Sequence, residues 1–95
     1  MAFDKMKKIY QLRKLQQELK QMTVESERLD GKIKITMTGE FKPQEIKIDE
    51  SLLSPDNAFQ LEKALKEAFI EALGKAQHNA ASRMRDFGDL GIPGL

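Results

Sequence analysis

Residues 31–53, GKIKITMTGEFKPQEIKIDESLL, decide how this chain folds. Ile33, Ile35 and Met37 alternate with Lys32, Lys34, Thr36 and Thr38, a period of two that puts apolar side chains on one face of a strand. After a break at Gly39 to Pro43, Ile46 and Ile48 repeat the pattern among Glu45, Lys47 and Asp49. An apolar sheet face of about five side chains cannot stay in water, so the flanking segments must cover it. Upstream, Asp30-Gly31 is a strong two-residue hairpin signal, because a type I′ turn needs positive φ at both positions. That turn sets Glu27 against Lys34, Ser26 against Ile35 and Val24 against Met37, matching charges on one face and apolar groups on the other. A three-stranded antiparallel meander follows. Gly31→Val is then expected to destabilise more than Gly39→Ser, since Gly39 lies in a longer and more tolerant loop.

The segments on either side read as helices. Asp4 is a candidate N-cap for a helix running to about Met22, with Met6, Ile9, Leu12, Leu15, Leu19 and Met22 as its apolar stripe. That stripe is expected to pack on the sheet or on a partner helix. Ser54-Pro55-Asp56-Asn57 marks a second helix start, and the helix runs to about Arg85. Leu61, Leu65, Ala68, Phe69, Ala72, Leu73, Ala76, Ala80 and Met84 trace its stripe. At ~45 Å it overshoots a strand of ~23 Å by about half its own length, and beyond Gly74 the stripe is mostly alanine. The overshoot implies a second subunit. The expected class is α+β, in the order α-β-β-β-α, with a single domain over 1–86 and a flexible tail over 87–95.

Composition narrows the function classes. Ninety-five residues, 40% hydrophobic and 33% charged, suit one small helix-rich soluble domain. The absence of cysteine excludes disulfide and thiol chemistry. No apolar run approaches the roughly 18 residues of a membrane span, and the N-terminus lacks a signal-peptide core, so a cytoplasmic protein is expected. His78, the only histidine, lacks a second ligand at metal spacing, the carboxylates are interleaved with lysine, and no glycine-rich phosphate loop exists. An enzyme, a cofactor, a metal and a small-molecule substrate are therefore not expected.

The charge of +1 is unevenly spread. Residues 1–22 carry Lys5, Lys7, Lys8, Arg13, Lys14 and Lys20 against Asp4 and Glu18, a balance of +4, whereas residues 23–56 balance at −3. A nearly neutral chain can thus present a positive surface.

Several runs of residues carry a family resemblance. Leu12-Arg13-Lys14-Leu15-Gln16-Gln17-Glu18-Leu19 is similar to a Met-x-Lys-Met-Gln-x-Glu-Leu run, and residues Gly31 to Gly39 to a Gly-x-Val-x-Val-Thr-x-x-Gly strand. Ile46-Lys47-Ile48-Asp49-Glu50-Ser51-Leu52-Leu53 looks like Val-x-Ile-Asp-Pro-Ser-Leu-Leu, and Ala68-Phe69-Ile70-Glu71-Ala72 like Ala-Phe-x-x-Ala. With its Gly-Ile-Pro-Gly-Leu ending, the chain resembles the YbaB/EbfC family of nucleoid-associated proteins over nearly its whole length. It departs at Glu50, where proline is usual, and at Ser26, where a strand glycine is common.

The resemblance implies a tweezers-shaped homodimer that binds duplex DNA in the nucleoid. On charge placement alone, phosphate contacts are expected from Lys5, Lys7, Lys8, Arg13, Lys14 and Lys20, with Arg83 and Arg85 at the end of the second helix. Low or modest sequence specificity is expected with them. The competing expectation is a dimeric protein-interaction module whose lysines only solubilise it.

Overall fold

The computed structural model describes residues 2–88. The expected tail, apart from the end of the last helix, lies outside the described residues. The elements run α1 (Ala2–Gln21), β1 (Thr23–Arg28), β2 (Ile33–Thr38), β3 (Pro43–Ile48) and α2 (Ala58–Gly88), an α+β layout. The strands form one antiparallel sheet in the order β1-β2-β3.

The β1–β2 register is Val24↔Met37, Ser26↔Ile35 and Glu27↔Lys34, as the Asp30-Gly31 turn requires. Asp30 and Gly31 have φ of 57° and 84°, and Lys32 N–H donates to the Leu29 carbonyl at 3.2 Å. Leu29 is also left-handed at φ 55°, so the ladder closes at Arg28↔Ile33, one pair short of the turn. Lys34 and Glu27 form the expected cross-strand ion pair at 3.3 Å. Between β2 and β3 the chain needs only a tight turn: Phe41 N–H donates to the Thr38 carbonyl, and Phe41 takes the left-handed conformation at φ 67°. A register shift at Thr36/Met37 places Met37 opposite Pro43, at the start of the edge strand, where no ladder donor is lost.

The helix starts are refined. Asp4 lies inside α1, which begins at Ala2, and not at the residue before its start. Ser54-Pro55-Asp56-Asn57 first makes one 3-10 turn, tied by Asn57 Nδ2 donating to Ser54 Oγ at 3.2 Å, and α2 starts at Ala58. Asp49 caps the preceding turn by accepting from Ser51 N–H at 2.8 Å, which drops Leu52 into the core. Hydrogen bonding from Ser51 holds the Asp49 carboxyl below its ordinary pKa. The Ile-Asp-x-Ser-Leu run is therefore a capping device.

Among the described residues the sheet is covered chiefly by α2, with Leu52 in the same buried cluster. Ala64, Ala68, Ala72 and Ala76, every fourth residue, lie on Val24, Ile33, Ile35 and Met37. Ser26, buried on the same face, donates its hydroxyl to the Ala68 carbonyl at 2.6 Å. The expectation that the α1 stripe packs on the sheet is corrected in favour of its partner-helix alternative. Leu15 and Leu19 bury against Ala80 of α2, flanked by Met22 and Met84. Moving up α2, its partners move back along the chain, from Arg28 at Glu71 to Glu25 at Lys75 and Glu18 at Arg83. The two helices therefore run antiparallel and form an arm that carries the molecule to 64 × 16 × 16 Å. The overshoot of α2 is covered within the same chain, so it does not by itself require a second subunit.

Gly39 joins arm to sheet. Its N–H donates to the Met22 carbonyl at 3.0 Å, and a Cβ placed on it would stand 2.6 Å from the Leu19 carbonyl oxygen. Gly31 has no such neighbour, with its nearest atom at 3.7 Å, and needs glycine only for its φ. Gly39 is therefore not the tolerant position expected, because its turn abuts the Leu19 backbone. Gly39→Ala is expected to cost about 1–3 kcal/mol through overpacking, against about 1–2 kcal/mol of left-handed strain for Gly31→Ala. Chemical denaturation of both variants checks this, and a Gly39→Ala midpoint equal to wild type would rule out the close approach.

Candidate nucleic-acid interface

The arm gathers all eight cations singled out from the sequence. Its α1 half, from Gln11 to Gln21, contains no glycine, proline or β-branched residue, a composition that holds a helix well. Lys5, Lys7, Lys8, Arg13, Lys14 and Lys20 are all exposed, and among the described residues none joins an ion pair. They do not share one face. Lys7 and Lys14, two turns apart, make one row; Arg13 and Lys20 make a second; Lys5 and Lys8 point to a third side. The Arg13–Lys20 row also holds Gln16 and Gln17, and these four line a shallow groove with Glu40 from the β2–β3 turn.

Arg83 and Arg85 differ from each other. Arg85 is exposed. Arg83 contacts Glu18 at 2.5 Å and Asp86 at 3.8 Å, so its guanidinium already clamps α2 to α1. Any phosphate would have to share it with Glu18. Sequence reasoning missed Gln16, Gln17 and Glu40. The i, i+3, i+4, i+7 spacing of Arg13, Gln16, Gln17 and Lys20 was visible in the sequence, whereas the approach of Glu40 depends on Gly39 and was not.

The two sheet edges are unlike. Beside β1, Lys75 Nζ donates to the Glu25 carbonyl at 2.8 Å, and Arg28 reaches Glu71 at 2.5 Å and Glu67 at 3.7 Å. The Arg28 hydrogen bond, opposed by partial desolvation, holds the Glu71 carboxyl below its ordinary pKa. Beside β3 no such cover is found among the described residues. Ile46 pairs with the fully buried Ile35 yet is 48% exposed, because α2 lies over β1 and β2 and leaves β3 open. Leu65, Phe69 and Ile70 of α2 line a groove with Ile46, flanked by Glu62 and Lys66. Phe69 therefore does not face the sheet, as its place in the expected inward stripe required.

Among the described residues, no group of three His, Cys, Asp or Glu could hold a metal ion, and no helix is long and apolar enough to cross a membrane.

Comparison with known proteins bears on this arm and sheet. The YbaB/EbfC DNA-binding family matches residues 2–90. The chain belongs to that family. A nucleoid-associated protein of Prochlorococcus marinus (strain NATL1A), NATL1_00191, is 38% identical over 86 residues, covering 90% of this chain and 70% of the relative. One from Dictyoglomus turgidum is 34% identical over 95 residues, covering 96% of this chain and 90% of its own. The crystal structure of an uncharacterized protein, HP0035 from Helicobacter pylori, superposes with a TM-score of 0.71 at 22% identity, covering 90% of this chain and 88% of that one. It shares the fold. The two nucleoid-associated relatives come from bacteria.

The Glu71 network is expected to make stability pH-dependent. A carboxyl whose pKa is lowered on folding stabilises the fold above its ordinary value of 4.5, and that contribution is lost as pH falls through the lowered value. Thermal melts from pH 6 downward are expected to show a shallower acid-side decline for Glu71→Gln than for wild type. Parallel declines would show that the Arg28 contact contributes nothing.

Proposed function

We propose that this YbaB/EbfC protein is a homodimeric, non-enzymatic architectural protein of the bacterial cytoplasm that binds duplex DNA in the nucleoid, chiefly through phosphates. The observation that carries this reading is the arm: six exposed cations without ion-pair partners among the described residues, on a helix held away from the sheet. Cations in several rows around one helix suit two phosphate backbones better than a single anion. Arg85 adds to them at the end of α2, and Arg83 only to the extent that Glu18 releases it.

The dimer is supported by the β3 groove. Small alanines face the sheet while Phe69 and Ile70 face outward beside Ile46, an apolar surface next to an unprotected strand edge. Glu62 and Lys66 on its rim would meet each other's counterparts across a two-fold axis, making the patch self-complementary. Two arms projecting from such a core would form the tweezers. Light scattering is expected to give about twice the 10.8 kDa chain mass. Phe69→Glu is expected to yield a folded monomer at micromolar concentration, and an unchanged mass for that variant would remove this interface.

A salt titration tests DNA binding. If about six phosphates are contacted per dimer, log affinity falls against log salt with a slope near −4 to −6, about −0.9 per contact. Replacing Lys7, Lys8 and Lys14 by Gln should flatten the slope and weaken binding to unrelated duplexes alike. Absence of duplex binding at low salt, with the dimer intact, would favour a protein-interaction module instead.

A further inference from the structure

Phosphate binding uses the charges of Arg13 and Lys20 but leaves the neutral Gln16 and Gln17 between them without a role. Arg13, Gln16, Gln17 and Lys20 occupy one exposed strip about 10 Å long, turned roughly 130° from the Leu15–Leu19 seam that seats α1 on α2. On one flank of the strip lie Lys7 and Lys14, and on the other Lys5, while Lys8 continues the Leu15–Leu19 row. A helix lying in a major groove about 12 Å wide would have a phosphate backbone along each flank and base edges beneath the strip.

The chemistry of the strip is that of base edges. A glutamine amide offers a donor and an acceptor side by side, which matches adenine N6 and N7, and an arginine fork matches guanine O6 and N7. Glu40 is the informative member of the groove. A carboxylate there repels phosphate, but it can accept from cytosine N4. Its position is set by the fold: Gly39 lies against the Leu19 backbone, and Glu40 N–H donates to Thr38 Oγ1 at 3.3 Å. Toward the N-terminus the same face carries Met6 and Ile9, which are 67% and 51% exposed. Neither belongs to a buried cluster among the described residues, and thymine methyl groups are apolar partners at groove depth.

We infer that the α1 strip centred on Gln16 and Gln17, with Arg13 and Glu40, reads base edges in the major groove and gives this protein a preferred DNA sequence. The inference rests on the duplex-binding reading and adds specificity to it. The lysine rows contribute affinity and the amides contribute preference.

Selection of the full-length protein against a library of randomised duplexes, followed by affinity measurement on the enriched and a shuffled sequence, tests it. The enriched sequence is expected to bind on the order of tenfold or more tightly than the shuffled one. The double variant Gln16→Ala, Gln17→Ala should erase that ratio while the salt slope persists, because both side chains are neutral. The Lys7, Lys8, Lys14→Gln variant should do the reverse. Circular dichroism and light scattering establish that each variant keeps fold and assembly. Duplex binding without an enriched sequence, or an enrichment that survives loss of both amides, overturns the inference and leaves duplex binding standing. No binding of any duplex removes both.

Discussion

The row Ala64, Ala68, Ala72, Ala76 and Ala80 is the contact on which the other parts depend. At a spacing of four these methyl groups form a low ridge along one side of α2, so its backbone comes close to whatever lies beneath. The first four cover the sheet, and the fifth receives Leu15 and Leu19 of α1. Bulk in the core is supplied from the sheet by Ile33, Ile35 and Met37, all without exposure to solvent. The approach is close enough for the Ser26 hydroxyl to reach the Ala68 carbonyl at 2.6 Å. A larger residue in the row would meet a dense interior with no room to give.

Alanines occupy the centre of the inner side of α2 and Leu61, Leu65 and Leu73 pack at its margins, while Phe69 and Ile70 stay exposed. Phe69 and Ile70 lie outward next to β3, which α2 does not cover, while β1 is screened by Lys75 and Arg28. One helix can cover only part of a three-stranded sheet, and this helix covers the side already protected by charge. The uncovered side is where assembly is proposed. The arm is held by different means: the Leu15–Leu19 seam, the Arg83–Glu18 clamp, and the Gly39 turn against the Leu19 backbone. The outer faces of α1 take no part in these attachments and remain available to a ligand.

Strand pattern, hairpin register and helix order were legible in the sequence for one reason: each depends on neighbours a few residues apart. A period of two, a turn needing positive φ at Asp30 and Gly31, and a Ser-Pro helix start are local constraints, and Glu27 meets Lys34 once the turn is set. The family motifs were legible too, and Asp49 shows why one of them persists as a pattern, since its carboxylate caps the turn that buries Leu52. Tertiary structure alone decided which helix lies on the sheet, because both carry apolar stripes and only the ridge height of alanine separates them. It also decided that Phe69 faces outward, that Gly39 admits no side chain, and that Glu40 stands beside Arg13 and Lys20. Those outcomes depend on distances between segments remote in the chain, and a side chain's periodicity carries no information about what stands opposite it.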